Sequence, residues 1–112
     1  MTSPGDVILC RVQQADGAFK LRPAVVLCSM APYGDLLICG ISSQLRHEVV
    51  GFDDLVMRTD TDFRTSGLKV DSLIRLGLLA TIPASANKGK LGVIDPDRLL
   101  RLQTRLARKL VP

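Results

Sequence analysis

The chain has 112 residues and 46% hydrophobic content, enough for one compact core and short for two domains. Its net charge of +4 and pI near 9.3 favour a polyanionic partner. One histidine, His47, and three cysteines without paired metal spacing, Cys10, Cys28 and Cys39, exclude a zinc site or a two-histidine ribonuclease within one chain, and no metal or cofactor is expected.

The opening Met-Thr-Ser-Pro-Gly-Asp has no basic stretch leading into an apolar one, and no window approaches the ~20 apolar residues of a membrane span. A cytoplasmic protein without membrane association is expected. Residues 6–12 are almost continuously apolar and predict a strand buried on both faces. Residues 13–20 read as a loop bending at Asp16-Gly17. Two further apolar runs, 21–28 and 35–42, flank a link that contains Pro32 and Gly34, and predict an antiparallel hairpin. With Cys28 opposite Asp35 or the residue after it, Arg22 comes opposite Ile41 or Ser42. A guanidinium fork and a hydroxyl on one sheet edge suit a phosphate. Pro23 has no N–H and argues for a strand start or a sheet edge there.

Residues 43–50 read as a loop followed by a short strand, 52–57 as another brief strand, and 58–67 as an exposed polar connection. Residues 68–79 turn apolar again around a strand core at 72–76, with Arg75 and Gly77 on one face and Ile74 and Leu76 on the other. Residues 80–92, with Pro83, Asn87 and interspersed glycines, read as a connector with room for a helical turn. Asp95-Pro96-Asp97 supplies an N-cap, a first-turn proline and a second acid, and opens a helix running to Leu110. Leu99, Leu102, Leu106 and Leu110 form its packed side, and Arg98, Arg101, Arg105 and Arg108 a solvated one. The cysteines are expected buried and reduced. Short strands closed by one helix predict a mainly β fold: a single domain over residues 1–112, built as a small, strongly bent antiparallel sheet or partly closed barrel with a C-terminal α-helix.

In their order and spacing, Gly5-Asp6-Val-Ile-Leu9, Lys20-Leu-Arg-Pro-Ala-Val-Val-Leu27, Ile38-Cys-Gly-Ile-Ser-Ser-Gln44, Ser66-Gly-Leu-Lys69, Ser72-Leu-Ile-Arg75 and Lys90-Leu-Gly92 make the chain resemble the MazF/PemK/Kid toxins of bacterial toxin–antitoxin pairs. The resemblance implies an SH3-like barrel and a homodimer. It also implies a metal-independent endoribonuclease that cuts single-stranded RNA at short sequences and is restrained by a cognate antitoxin, the complex of the two binding DNA. The substrate's 2′-hydroxyl would attack the adjacent phosphate, leaving a cyclic phosphate and a 5′-hydroxyl. The protein must then orient the backbone, assist proton movement and stabilise charge.

Arg22 matches the family's central arginine, Ser42 stands where many members have threonine or serine, and Arg75 matches as well. These three are the candidate catalytic residues. Arginine stays protonated, so Arg22 is assigned to phosphate and transition-state stabilisation. Lys20, Ser43, Gln44 and Lys69, inside the matched segments, are candidate RNA contacts. The departure is Gly77, where the Kid-like branch has an aspartate about 7 Å along the strand from the arginine. Asp6, Asp16 and His47 are the candidate substitutes for proton transfer, His47 because histidine exchanges protons near neutrality. Two alternatives stay open: a CcdB-like, non-enzymatic DNA gyrase poison, and an inactive relative that binds RNA and antitoxin without cutting.

Overall fold

The computed structural model of the protein describes residues 1–13 and 16–112. Strands β1 (Asp6–Gln13), β2 (Phe19–Met30), β3 (Asp35–Ser42), β4 (Asp54–Val56), β5 (Ser72–Ile82) and β6 (Asn87–Val93) form one antiparallel six-stranded sheet in the order β4-β5-β3-β2-β1-β6. Two helices complete the fold, α1 (Phe63–Ser66) and α2 (Pro96–Leu110). The mainly β, bent-sheet architecture with a C-terminal helix is the one expected. Of the loop expected at 13–20, Gln14 and Ala15 lie outside the described residues. Asp16 and Gly17 do sit at a bend, and Phe19 and Lys20 already belong to β2.

Successive residues of a strand face opposite ways, and here both faces are packed. Val7, Val25, Leu27, Cys39 and Ile41 join Ile74, Leu76 and Leu102 in one core. Their neighbours Ile8, Cys10, Ala24, Val26, Leu36 and Ile38 form a second. That is why β1 to β3 read as continuous apolar runs rather than as alternating ones. Cys10 and Cys39 are buried, whereas Cys28 is half-buried, and none is in a disulfide. Burial, with the charge of Asp53 adding to it, pushes the Cys39 thiol up to about 12.

The expected connector at 80–92 is instead the end of β5, a 3-10 turn at Ala84–Ala86, and strand β6 along β1. Of its two glycines, Gly92 marks a close approach rather than a loop. A Cβ on Gly92 would collide with the Thr65 carbonyl oxygen and the Ser66 backbone, because α1 is seated directly on β6. Gly67 ends α1 with φ +75°, the left-handed cap that glycine adopts without strain, and a Cβ there would strike the Leu91 carbonyl. Gly92→Ala should therefore lower stability by about 1–3 kcal/mol or more, the range for forcing atoms into a packed site. A shifted urea midpoint at constant slope checks this; an unchanged midpoint would show that α1 yields freely.

Residues 58–67, expected to be an exposed connection, hold α1 together with the buried Asp62 and Ser66. The strand expected near residue 50 is replaced by a 3-10 turn at Leu45–His47 and a reverse turn around Gly51. In α2, Leu102 is fully buried with Leu99 and Leu106 packed beside it, but Leu110 is exposed. Asp95 precedes the helix without capping it by its side chain; its carboxylate accepts the Thr61 hydroxyl instead, at 3.2 Å.

The arginine row departs most from expectation. Arg98 is 7% exposed, and its Nε and second guanidinium nitrogen donate to the two oxygens of Asp62, both at 2.8 Å. Its remaining nitrogen donates to Asp54 at 2.7 Å and to the Leu55 carbonyl at 2.6 Å. Arg101 and Arg105 also reach Asp54, and Arg105 donates to the Asp53 carbonyl at 2.7 Å. Burial opposes the Arg98 charge, but the Asp62 and Asp54 carboxylates outweigh it and raise its pKa. The hydrogen bond from Arg98 in turn holds Asp62 below its ordinary value despite burial. A helix face that looks solvated alone thus carries three of its four arginines into an acidic surround built by residues 53–62. Among the described residues no helix is long and apolar enough to cross a membrane.

Candidate active site

The site begins with a proline. Pro23 has no N–H to donate, and although it pairs with Leu9 of β1, the ladder to β3 stops one residue away at Ala24↔Gly40. It is therefore neither a strand start nor on an edge strand, but the point where β2 and β3 part. At the hairpin tip Cys28 faces Leu37, one residue beyond the expected range, and a bulge between Val26 and Cys28 takes up the difference. Continuing the register past Ala24↔Gly40 brings Arg22 opposite Ser42. The two line one concavity of about 260 Å³, whose other walls include Ser43, Lys69, Ser72 and Leu91.

The hydroxyls here are oriented. The Ser42 oxygen accepts the Gln44 backbone N–H at 3.0 Å, which leaves its proton as a donor. Ser72 is buried and donates to the Val70 carbonyl at 2.7 Å, fixing the segment that carries Lys69. Among the described residues the lining contains cations and hydroxyls and neither a carboxylate nor an imidazole. Such a surface can hold a phosphate and stabilise added negative charge on it.

Arg75 lies opposite Gly40 on β5, and the register puts it on the same sheet face as Arg22 and Ser42, outside the concavity they line. It is half-buried and has no ion-pair partner among the described residues. The strand then breaks step, since Gly40 faces Arg75 but Cys39 faces Leu79, so residues 76–78 bulge out of the ladder. Arg75 and Gly77, expected as neighbours on one face of a regular strand, are instead separated by this irregularity, with Gly77 inside the bulge. A Cβ on Gly77 would meet only Phe52, at 3.8 Å, so packing does not forbid an acid there.

The substitutes for that acid are elsewhere. Asp6 is buried, accepts the Ser3 N–H at 2.9 Å and pairs with Lys90 at 3.3 Å, which ties the N-terminus to β6. Asp16 is exposed and accepts the Ala18 N–H at 2.9 Å. His47 is exposed on the 3-10 turn. None of the three lines the Arg22–Ser42 concavity. Ser43 and Lys69 do. Gln44 is outside it, with its side-chain oxygen accepting from Arg46 at 2.6 Å. Lys20 is exposed beside a basic surface where the Arg11 guanidinium stacks 4.8 Å from the Phe19 ring centroid and Lys88 approaches. The sequence reading missed Ser72, Leu91 and the loop at Gly67 as walls, because α1 and β6 were themselves unforeseen.

A bent antiparallel sheet with a cationic, hydroxyl-lined cleft where two strands part is a β domain whose cleft suits an anionic group. More particularly, residues 3–110 match the model of the PemK-like, MazF-like toxin of type II toxin–antitoxin system family, and the chain belongs to that family. Many solved structures share its fold, among them the following two. An endoribonuclease in complex with its cognate antitoxin from Mycobacterial species superposes with a TM-score of 0.74 at 14% identity, covering 100% of this chain and 98% of that one. MazE–MazF (Form-II) from Deinococcus radiodurans gives 0.69 at 18% identity, covering 98% and 95%. No curated protein matches the sequence.

Proposed function

We propose that this toxin is an endoribonuclease that cuts single-stranded RNA at short sequences without a metal, and that a cognate antitoxin restrains it. The observation that carries this reading is the meeting of Arg22, Ser42, Ser43 and Lys69 in one concavity on a fold of the PemK/MazF family. The substrate supplies the nucleophile: its 2′-oxygen bonds to the adjacent phosphorus as its proton leaves, the P–O5′ bond breaks, and a 2′,3′-cyclic phosphate and a 5′-hydroxyl remain. Arg22 spans two phosphate oxygens with its fork, and Ser42 donates to a third atom of the same group. Arg75 on the same face adds positive charge as the phosphorane forms. Among the described residues the lining has no carboxylate or imidazole, so solvent accepts the 2′-proton and supplies one to the departing 5′-oxygen, and catalysis rests on positioning and electrostatics. The protein works in the cytoplasm as a homodimer, the second copy covering the exposed Leu78 and Leu79 beside an apolar cavity of about 270 Å³ that also touches Arg22.

Purified protein incubated with total RNA in EDTA should yield discrete fragments ending in 2′,3′-cyclic phosphate. Intact RNA would overturn the proposal, and trapped cleavage complexes on DNA with gyrase would replace it with the poison reading.

A further inference from the structure

Immediately before β4 lies a buried carboxylate that the proposed chemistry does not use. Asp53 is 4% exposed and has no cationic partner among the described residues. One of its oxygens accepts the backbone N–H of Leu76 at 3.0 Å, the other that of Val49 at 2.9 Å. A buried charge without a counter-ion is costly, so its placement needs a reason.

That reason is in the ladder. β4 pairs with β5 from Val56↔Ser72 to Asp54↔Ile74 and goes no further. On the other side β3 leaves β5 at Gly40↔Arg75. The Leu76 N–H therefore emerges just where β5 has lost both strand partners, and the Asp53 carboxylate stands in for the strand carbonyl it would otherwise meet. The peptide so held is the one joining Arg75 to Leu76, and its plane sets how the backbone leaves Arg75. The second oxygen anchors Val49, in the segment that runs on from Ser42 and Ser43. One carboxylate thus ties the chain beyond Ser42 to the strand carrying Arg75.

We propose that Asp53 is a positioning residue that aims Arg75 at the phosphate held by Arg22 and Ser42, an assignment that rests on the nuclease reading above. Asparagine has one acceptor oxygen in place of two, so Asp53→Asn releases one of the two amides and lets the Arg75 peptide turn. Displacement by about 1 Å at a reacting centre costs on the order of 100-fold in rate, and a loss of about 10- to 100-fold in kcat with little change in KM is expected.

The deciding measurement is a double-mutant cycle on RNA cleavage with Arg75→Ala, with circular dichroism and melting curves on every variant. If Asp53 acts through Arg75, Asp53→Asn lowers cleavage in the wild-type background and adds no further loss in Arg75→Ala. The Leu76 amide should also exchange faster in Asp53→Asn. Equal losses in both backgrounds, or a folded Asp53→Asn with normal kcat, would overturn the assignment while leaving the nuclease intact. Normal cleavage by Arg75→Ala removes Arg75 from the site and Asp53 with it. Intact RNA with the wild-type protein sinks the nuclease reading and this assignment together. Should Asp53→Asn fail to fold, the same cycle is run with Asp53→Glu, which keeps both acceptors and moves them by one methylene; additive losses there overturn the assignment equally.

Discussion

Arg22→Ala is expected to fold normally and to cut RNA at least ~100-fold more slowly, the cost of removing one preorganised donor from a developing oxyanion. Folding should survive because the side chain at this position lines the cleft where β2 and β3 have parted, and alanine keeps the backbone that pairs with Cys10 of β1. Arg22→Lys keeps the charge but not the planar fork, so it should fall between wild type and alanine. Cleavage rates measured beside melting curves check both. A folded Arg22→Ala that cuts at the wild-type rate would remove Arg22 from the chemistry.

The largest stability effect should come from Arg98→Ala. It leaves Asp62, with its side chain 1% exposed, without the fork that saturates both oxygens. Breaking a buried pair by deleting one partner costs about 3–5 kcal/mol, and urea unfolding at neutral pH should report a loss of that size. The pH dependence has a definite sign. Asp62 is held below its ordinary value in the folded protein, so its contribution is complete above the unfolded-state value of about 4 and is lost as the pH falls through the folded one. Once Arg98 is gone, burial outweighs the Asp95 backbone N–H that still donates to Asp62 at 3.0 Å and favours the protonated form. The gap between wild type and Arg98→Ala should therefore narrow as the pH falls from 7 toward 4. A gap that stays constant would mean that Arg98 stabilises through packing rather than charge.

β1, β2 and β3 were legible because strands buried on both faces leave unbroken apolar runs, as residues 6–12 do. The meeting of Arg22 with Ser42 survived a wrong register at the hairpin tip because the bulge at Leu27 restored it within a few residues. β6 was illegible for a physical reason: Asn87, Gly89 and Gly92 have low strand propensity, and Gly92 is there to admit α1, which no local pattern announces. The arginines of α2 were misread for a related reason. A helical wheel shows which residues share a face but not what a distant segment brings to it, and Asp53, Asp54, Asp60 and Asp62 come from outside the helix. The same blindness hid Asp53, whose partners Leu76 and Val49 become neighbours only when β5 breaks its ladder.

The two walls of the cleft are built from different material, and this bears on how such a protein diversifies. Arg22 and Ser42 stand on central strands whose backbones are locked by ladders on both sides of the parting point. The facing wall comes from the turn after α1, with Gly67 and Lys69, and from Leu91 near the sheet edge. Substitutions at Lys69, Val70 or Leu91 alter shape and hydrogen bonding along that wall while leaving the strands that carry Arg22 and Ser42 in place. On the nuclease reading proposed above, target preference would be free to drift while the phosphate contacts of Arg22 and Ser42 stay put, and a toxin of this build would acquire a new recognition sequence without first losing its old chemistry.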